Sequence, residues 1–431
     1  MTNRCLADWL TLLETRHPSE IELGLERVSA VWQRYQANAH TSSQSAKKHS
    51  IITVAGTNGK GSCIASMQAL LLEHGYSVGV FTSPHFLYYN ERICIDAKPV
   101  SDTEIVSAFE TIESLREEID LTYFEFNTLA ALIIFDCNIL DVILLEVGLG
   151  GRLDATNIID ADVAVLTSID LDHQQWLGET RSQIAYEKLG IARPNKPLII
   201  GETDYPKNFQ QLVSDTAAAA LWHGQNFDYQ LQETSFIARL LLDSENKCLE
   251  IDNLPIQGLL PVNKLLALQA LACVGIALEA DKCRVALGNI KLNGRQQQLR
   301  YRDKTVILDV AHNPAAAVAL EQCLASQAGR KIAVASVLDD KDWSAMVSAL
   351  LPVIDEWNIA ELPDVSRAAK GYSLQKLLYN IGLEASLFST VKEAFFEALA
   401  CAKSDDSIIV FGSFHTVAKV MEVISAEVSG E

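Results

Sequence analysis

The sequence lacks the cysteine spacing of a disulfide framework or a zinc site. Its nine cysteines are scattered, and no two of them form a C-x-x-C pair. Isolated cysteines of this kind are typical of reduced thiols in an intracellular protein. The first residues also lack the apolar run of a signal peptide and include an early acidic residue, Asp8. We therefore expect a cytoplasmic protein.

Two further absences narrow the possible partners. No segment is both long enough and sufficiently free of charge to span a bilayer, so no membrane partner is expected. Basic residues are few, because 35 lysines and arginines stand against 55 aspartates and glutamates, which gives a formal charge of −20. A general nucleic-acid binder needs a basic face, and this balance argues against one. An anionic substrate would have to be held by local cations and metal ions.

A glycine-rich turn at residues 56–61 is the most informative stretch of the chain. Ile51–Val54 is a short apolar run suited to a buried strand, and residues 64–74 are apolar at near-helical spacing. A strand, a glycine turn and a helix in this order form a phosphate-binding loop, although a plain βα turn is the alternative. Lys60 and Ser62 are placed for phosphate and Mg²⁺, but their spacing departs from the strict Walker pattern. The stretch predicts nucleotide binding.

Acidic residues and a histidine follow two other predicted strands. Glu146 lies at the end of a buried apolar run, where a carboxylate needs a metal ion or a cation as its partner. Asp170, Asp172 and His173 follow a strand predicted at 163–169 and form a second candidate metal cluster. Structural roles for Glu146 and His173 are the alternatives.

Two segments admit both a functional and a structural interpretation. Residues 82–93 follow a second predicted strand, at the edge where open α/β sheets bind ligands, but a solvated loop would read the same. Residues 122–127 interleave aromatic side chains with a glutamate, and aromatic residues occur more often in a core than in a ligand platform. The residues alone leave both choices open.

The order of elements predicts two α/β domains. Strands alternate with helices in both halves of the chain, which is typical of mostly parallel sheets. A polar stretch at 289–298 is the best candidate for a linker. It would join an N-terminal ATP-binding domain at 1–288 to a C-terminal α/β domain at 299–431.

A series of motifs resembles the folylpolyglutamate synthases, which are relatives of the Mur ligases. In chain order the motifs are residues 56–62, 82–85, 145–157, 172–173, 187–191, 294–295, 309–314 and 411–417. The spacing of Lys60 and Ser62 is the ordinary form in this family. The resemblance covers nearly the whole chain. It implies a P-loop, Mur-ligase-like ATPase domain with a mostly parallel sheet, followed by a smaller Rossmann-like α/β domain.

The resemblance implies ATP-dependent formation of an amide bond. A substrate carboxylate attacks the γ-phosphate of ATP to give an acyl phosphate and ADP, and the amine of L-glutamate then displaces the phosphate. The acid is 7,8-dihydropteroate, which gives dihydrofolate, or a (tetrahydro)folate, which gains further glutamates. Phosphoryl transfer depends mainly on positioning and charge neutralisation, which a phosphate loop with Mg²⁺ provides. Two Mg²⁺ sites and a monomer are the family expectation.

The resemblance also implies roles for single residues. Catalytic roles are implied for Lys60, His173, Lys188 and His312. Contacts to ATP are implied for Thr57, Asn58, Gly59, Lys60, Gly61, Ser62, Asn263, Arg295 and Asp309. Mg²⁺ ligands are implied at Ser62, Glu146, His173 and Lys188, and substrate contacts on the pterin side at Ser83, Pro84, Tyr123, Phe124 and Asp154.

Lys188 resembles the lysine that this family carbamylates with CO₂. Carbamylation turns a cation into an anionic oxygen ligand and requires the neutral amine first. A surface pair with the neighbouring Glu187 is the alternative. Small departures from the family are Leu189, where alanine is usual, and Gln296, where an aromatic residue is common.

Three other functions compete with the bifunctional ligase. A folylpolyglutamate synthase without dihydrofolate synthase activity would carry almost the same motifs. A Mur-type amino-acid ligase would share the loop, the metal sites and the lysine, but the motifs at 82–85 and 148–152 disfavour it. A nucleotide-dependent switch would not need the second metal cluster or the second α/β domain.

Overall fold

A computed structural model describes residues 4–17, 22–39, 49–242, 247–325 and 327–428. The chain divides into two units, of which the first comprises Met1–His85 and Tyr89–Ile290 and the second Phe86–Tyr88 and Lys291–Glu431. None of the helices in the described ranges has the length and apolar character to cross a membrane.

The first unit contains two sheets. Its strands are β1 (Ser50–Ala55), β2 (Val78–Phe81), β3 (Ile93–Ile95), β4 (Lys98–Pro99), β5 (Val142–Glu146), β6 (Val163–Leu166), β7 (Pro197–Ile200), β8 (Ala219–Trp222), β9 (Asp228–Leu231), β10 (Ser235–Leu241) and β11 (Cys248–Pro255). The larger sheet has the order β4-β3-β2-β5-β1-β6-β7-β8, and the smaller one has the order β11-β10-β9. In the larger sheet the pairs β2–β3 and β3–β4 are antiparallel and the other neighbouring pairs are parallel, so the prediction of a mostly parallel sheet is confirmed.

The helices of the first unit pack on its sheets and on one another. They are α1 (Leu6–Arg16), α2 (Glu26–Ala39), α3 (Lys60–Glu73), α4 (Asp102–Arg116), α5 (Tyr123–Asp136), α6 (Gln174–Leu177), α7 (Arg181–Leu189), α8 (Phe209–Asp215), α9 (Pro261–Cys273) and α10 (Ala280–Gly288). Short 3-10 helices lie at Tyr89–Arg92 and Ala155–Ile158. Helix α5 begins inside the aromatic segment at residues 122–127, because Thr122 and Glu125 form a capping box at its start.

The second unit is a single six-stranded sheet with helices. Its strands are β12 (Gln297–Tyr301), β13 (Lys304–Leu308), β14 (Lys331–Ala335), β15 (Glu356–Ala360), β16 (Ala385–Phe388) and β17 (Ser407–Phe411), and its helices are α11 (Pro314–Ala325), α12 (Trp343–Leu350), α13 (Gly371–Asn380), α14 (Val391–Cys401) and α15 (Phe414–Val428). The order is β12-β13-β17-β14-β15-β16, and only β12 is antiparallel to its neighbour. The last two residues of the predicted linker, Gln297 and Gln298, lie in β12.

Candidate active site

Several of the predicted phosphate, metal and pterin-side residues of the first unit follow strands that are neighbours in its sheet. Gly56 follows β1, Ser83 follows β2, Glu146 ends β5, and His173 comes seven residues after β6. Because β2, β5, β1 and β6 are adjacent and parallel, these residues come together at the carboxyl edge of the sheet. Ligands bind at this edge in open α/β folds.

Gly59 makes the sharp turn from β1 into α3. Its φ of 89° is left-handed, and α3 begins at the next residue, Lys60. A Cβ atom at Gly59 would lie 2.5 Å from Oδ1 of Asn263, another predicted ATP contact. Lys60 Nζ donates to the carbonyl of Gly56 at 3.0 Å. The turn thus brings a lysine, a buried amide and a helix N-terminus together, which is a suitable site for a phosphate.

The segment after β6 fixes the phosphate loop from its other side. The Thr57 N–H donates to the Ser168 carbonyl at 2.9 Å, and the Asn58 N–H donates to Ser168 Oγ at 2.9 Å. Thr167 Oγ1 donates to the Asn58 carbonyl at 2.6 Å. The backbone N–H groups of Thr57 and Asn58 therefore hold the loop in shape, while the loop turns into α3 beyond them.

Glu146 connects the phosphate loop to the residues after β2. Its side chain is 5 % exposed, and its Oε2 accepts a hydrogen bond from the Ser83 N–H at 3.1 Å. A Cβ atom at Gly61 would lie 3.7 Å from Glu146 Oε1, so the carboxylate faces the first turn of α3. Ser62 follows in that turn and is also buried. Carboxylate and hydroxyl oxygens are the donors that Mg²⁺ prefers, so the residues present fit this metal ion.

His173 and Asp172 form a local pair. The His173 N–H donates to Asp172 Oδ1 at 2.9 Å, and His173 Nε2 lies 3.9 Å from Asp172 Oδ2. His173 has a left-handed backbone, with φ of 51°, and directly precedes α6. A carboxylate next to an imidazole is a common metal-binding combination.

Lys188 is a buried amine on α7. It is 4 % exposed, and within the described part of the chain its Nζ makes no hydrogen bond or ion pair. Burial lowers the pKa of the amine to about 7, and the positive charge of Lys60 acts in the same direction, whereas Asp172 and Asp154 oppose the shift. These electrostatic effects place Lys188 among the predicted phosphate and metal residues.

The alternative of a surface pair between Glu187 and Lys188 is wrong. Glu187 Oε1 accepts a hydrogen bond from Arg152 at 2.9 Å, and the Arg152 N–H donates to the Glu187 carbonyl at 2.7 Å. Gly151 lets the loop approach α7 closely, because a Cβ atom there would lie 3.0 Å from the carbonyl oxygens of Glu187 and Lys188. The glycine-rich loop after β5 thus contacts α7 through Glu187, and the amine of Lys188 takes no part in this contact.

Asp154 orders the same glycine-rich loop. Its carboxylate accepts hydrogen bonds from the Leu149 N–H at 2.8 Å, the Thr156 N–H at 3.0 Å and Thr156 Oγ1 at 2.7 Å. The side chain is buried, and burial raises the pKa of its carboxyl group, while these hydrogen bonds oppose the increase. The structure therefore gives Asp154 a structural task in addition to its predicted pterin-side contact.

The aromatic residues at the start of α5 face this loop and the segment after β2. The ring of Phe124 would meet a Cβ atom at Gly148 at 2.5 Å and lies 5.9 Å from the ring of Phe81. Tyr123 lies 5.7 Å from the guanidinium of Arg92. Sequence reasoning assigned no role to Arg92, although its segment was considered as a substrate loop.

The second unit holds a separate group of predicted residues at the end of β13. The Asp309 carboxylate accepts hydrogen bonds from the Gln296 N–H at 2.8 Å and from the Ala311 N–H at 2.7 Å. Burial raises the pKa of Asp309, and the positive charge of Arg295 opposes the increase. The guanidinium of Arg295 lies 5.2 Å from the ring of Phe414. His312 Nδ1 donates to a backbone carbonyl two residues before it at 2.8 Å.

Gln296 explains how the chain accommodates the residue that departs from the family. Its backbone is left-handed, with φ of 46°, and its N–H is directed at the buried carboxylate of Asp309. The side chain reaches towards the carbonyl of Ala319 on α11, at 3.5 Å. The backbone at position 296 therefore makes the contact to Asp309, and an aromatic ring is not required for it.

Comparison with known proteins shows similarity along almost the entire chain. A family model described as "Mur ligase, glutamate ligase domain" matches residues 294–414. The chain is 40 % identical over 427 residues to the dihydrofolate synthase/folylpolyglutamate synthase of Escherichia coli (strain K12). This match covers 99 % of the chain and 97 % of the relative.

Solved structures show the same similarity. The structure of E. coli FolC in complex with DHPP and ADP has a TM-score of 0.90 and 39 % sequence identity, and the match covers 99 % of both chains. A bifunctional folylpolyglutamate synthase/dihydrofolate synthase from Yersinia pestis, complexed with AMPPNP and Mn ion, has a TM-score of 0.88 and 39 % identity, with 98 % of both chains covered. Both likenesses extend through the two units.

Proposed function

Because this chain belongs to the dihydrofolate synthase/folylpolyglutamate synthase family, we infer that it is an ATP-dependent ligase that forms amide bonds with L-glutamate. It adds L-glutamate to 7,8-dihydropteroate, which gives dihydrofolate, and adds further glutamates to folates. The predicted fold class, a P-loop unit of Mur-ligase type followed by a Rossmann-like α/β unit, is confirmed. The main structural support for this function is that the Gly59–Lys60 turn, Glu146 and Lys188 come together at one edge of the sheet.

The phosphate loop would bind and orient ATP in this reaction. The N-terminus of α3 and the ammonium group of Lys60 would neutralise the phosphates, so that a substrate carboxylate can attack the γ-phosphorus and release ADP. The amine of L-glutamate would then attack the acyl carbon of the acyl phosphate and release inorganic phosphate. We propose that Arg295 and Asp309 of the second unit contact ATP and that His312 has a catalytic role, as the family resemblance implies.

The buried oxygens beside the phosphate loop fit a divalent metal ion. Glu146 and Ser62 would hold one ion, and His173 with Lys188 would hold a second. A bound Mg²⁺ supplies positive charge that offsets the charge of the phosphates. The Ser83 N–H donates to the Glu146 carboxylate at 3.1 Å. This hydrogen bond orients the carboxylate before a metal ion binds.

Lys188 would bind the second ion as a carbamate. The neutral amine adds to CO₂, a proton is released, and the product is an anionic oxygen ligand. Three observations support this step: the burial of the amine, the absence of an ion pair among the described residues, and a pKa of about 7, which leaves much of the amine neutral at physiological pH. Lys60 and Asp172, which affect this pKa, would become neighbours of the carbamate.

Phosphate release by the full-length protein tests the reaction. ATP, Mg²⁺ and L-glutamate are supplied with dihydropteroate in one assay and with tetrahydrofolate in another. Turnover in both assays is expected. Turnover with tetrahydrofolate alone would reduce the function to a folylpolyglutamate synthase, and no turnover in either would refute it. The Glu146→Gln variant is expected to be inactive, whereas Lys196→Met, which removes only an exposed ion pair with Asp162, should keep full activity.

Labelled bicarbonate tests the carbamate without relying on activity. Protein equilibrated with ¹³C-bicarbonate should show a ¹³C carbamate signal in the wild type and none in Lys188→Met. Lys264→Met is the matched control, because Lys264 is also a buried lysine, with a pKa lowered to about 8 by burial. Retention of the signal in Lys188→Met would place the modification elsewhere.

We also propose that the protein acts as a monomer in the cytoplasm with small-molecule substrates only. Two expectations from the sequence support this proposal: the chain has no segment suited to span a bilayer, and its family resemblance implies a monomer. Light scattering coupled to gel filtration would test the oligomeric state, and a mass near twice that of the chain would contradict it.

A further inference from the structure

Arg92 is a buried cation that the reaction above does not use. It ends the 3-10 helix Tyr89–Arg92, and its carbonyl accepts a hydrogen bond from the Thr82 N–H at 2.9 Å. Thr82 directly precedes Ser83, whose N–H donates to Glu146. Arg92 therefore lies at the carboxyl end of β2, next to the segment that contains Ser83, one of the predicted substrate contacts.

The guanidinium of Arg92 has rings for neighbours instead of a carboxylate. The residue is 8 % exposed, and its Nε donates to Nδ1 of His85 at 2.8 Å. The guanidinium carbon lies 5.9 Å from the centre of the Tyr89 ring and 5.7 Å from that of Tyr123. In the parts of the chain that the structure describes, no Asp or Glu forms an ion pair with Arg92. A buried charge without a counter-ion is unfavourable unless a ligand supplies one.

The surroundings of Arg92 fix the direction of its side chain. Tyr89 OH donates to Asn127 Oδ1 at 2.7 Å, and the Tyr89 and Tyr123 rings meet edge to face at 6.4 Å. His85 accepts the Nε hydrogen bond, so its Nδ1 carries a lone pair. The two terminal nitrogens of Arg92 remain without an acceptor among the described residues, and neither is fully enclosed by protein atoms.

We propose that Arg92 binds a carboxylate of the acid substrate through its two terminal nitrogens. A planar guanidinium matches a carboxylate in a bidentate arrangement, and the partial desolvation of Arg92 beside two aromatic rings strengthens the pair. Tyr123, which belongs to the predicted pterin side, contacts the same guanidinium. The proposal rests on the proposed function, since that function makes the acid at this sheet edge a pteroate or a folate.

The two substrates differ in the carboxylates that they offer to Arg92. Dihydropteroate has a single carboxylate, which is the one that reacts. A folate has a terminal glutamyl residue with one carboxylate that reacts and one that does not. Comparison of the two substrates therefore identifies which carboxylate Arg92 binds.

Steady-state kinetics of Arg92→Gln and Arg92→Lys test the proposal in the full-length protein. Loss of a charge-assisted bidentate contact should raise the KM for the acid substrate by about 10- to 100-fold in Arg92→Gln, and by less in Arg92→Lys, which keeps the charge. The KM values for ATP and L-glutamate should change by less than about 2-fold, since the expected loss is confined to the acid. An increase with both acids assigns Arg92 to the reacting carboxylate, and an increase with tetrahydrofolate alone assigns it to the other one.

Arg27→Lys is the matched control. Arg27 Nε donates to Glu125 Oε2 at 3.3 Å and so reaches the first turn of α5, the turn of Tyr123, from α2. The Arg27→Lys variant should leave the KM values for the acid substrate, ATP and L-glutamate unchanged. The proposal fails if Arg27→Lys gives the same increase, if only the KM for L-glutamate moves, or if neither acid is affected by either Arg92 variant. Inactive wild-type protein would instead refute the proposed function. Thermal melting checks that each variant folds. If Arg92→Gln does not fold, the KM values of Arg92→Lys decide the test.

Discussion

Replacement of Lys188 by methionine should stabilise the fold while it abolishes ligase activity. The amine is buried and, among the described residues, has no hydrogen bond or ion pair. Methionine has a similar length and needs no partner in an apolar environment. A group of this kind is retained for function at the expense of stability.

The magnitude follows from the pKa of Lys188. The pKa falls from 10.5 to about 7 on folding, so the folded chain binds fewer protons than the unfolded chain between these pH values. Stability must therefore rise with pH across that window, and below it the full penalty remains because both states are protonated. At pH 7.5 the penalty is about 4 kcal/mol, at about 1.4 kcal/mol for each pH unit. We expect Lys188→Met to raise the free energy of unfolding by about 2 to 4 kcal/mol, since part of the gain is lost to imperfect packing.

Urea unfolding of the full-length protein, followed by circular dichroism in bicarbonate-free buffer from pH 7 to 10, measures this effect. The difference between Lys188→Met and the wild type should shrink as the pH rises. Lys264→Met is the control with the opposite sign. Lys264 is also buried, but its Nζ donates to the carbonyls of Pro255 and Gln257, both at 2.7 Å, so methionine there leaves two acceptors unpaired and destabilises. A destabilised Lys188→Met with no pH dependence would refute the reasoning.

Three further changes test the two units separately. Glu113→Gln should lower the free energy of unfolding by about 1 kcal/mol at pH 7. Hydrogen bonds from the arginines of α4 and α1 lower the pKa of Glu113 to about 2, so its contribution is present above about pH 4.5 and is lost towards pH 2, as pH-dependent urea unfolding will show. Gly148→Ala should destabilise by about 1 to 3 kcal/mol and raise the KM for the acid substrate, because the new Cβ would lie 2.5 Å from the Phe124 ring; an unchanged melting temperature and KM would contradict this. Phe414→Leu removes the ring beneath Arg295 and should raise the KM for ATP by about 3- to 30-fold, while Phe414→Tyr should not.

The strands that carry the site could be predicted from the sequence because they are short, buried and apolar. Ile51–Val54 lies within β1, and the acidic residue at the end of the next apolar run, Glu146, ends β5 as expected. Edge strands were missed, among them β12 and β16. These strands have exposed positions and mixed composition, so no apolar run marks them.

Helix boundaries depended on capping, which apolar periodicity does not show. Helix α5 begins at Tyr123 because Thr122 accepts a hydrogen bond from the Glu125 N–H and Glu125 bonds back to the Thr122 N–H. The sequence also predicts helical structure at residues 2–37, where the structure has two helices, α1 and α2, and part of this region lies outside the described residues.

The burial of Lys188 could not be derived from spacing alone. The sequence predicts a helix around residues 184–191, but Glu187 and Lys188 are adjacent and nothing local says which one faces the core. The choice is made by Arg152, which lies 35 residues earlier and donates a hydrogen bond to the Glu187 carboxylate. Such a partner is found only when the loop after β5 is folded against α7.

The acidity of the chain and the anionic character of its substrates place a common demand on the site. The formal charge is −20, whereas ATP, L-glutamate and the pteroate or folate are all anions, so the average field of the protein opposes their approach. Screening limits that field to about 8 Å at physiological ionic strength, and local groups therefore decide binding. The groups that the structure offers are buried or partly buried: the Lys60 ammonium, which donates to the carbonyl of Gly56, the α3 N-terminus, and the Arg92 guanidinium beside two aromatic rings. Because screening weakens the unfavourable long-range field more than contacts to buried groups, moderate salt should lower KM for the acid substrate in the wild type, and the reverse trend would show that exposed charges govern binding.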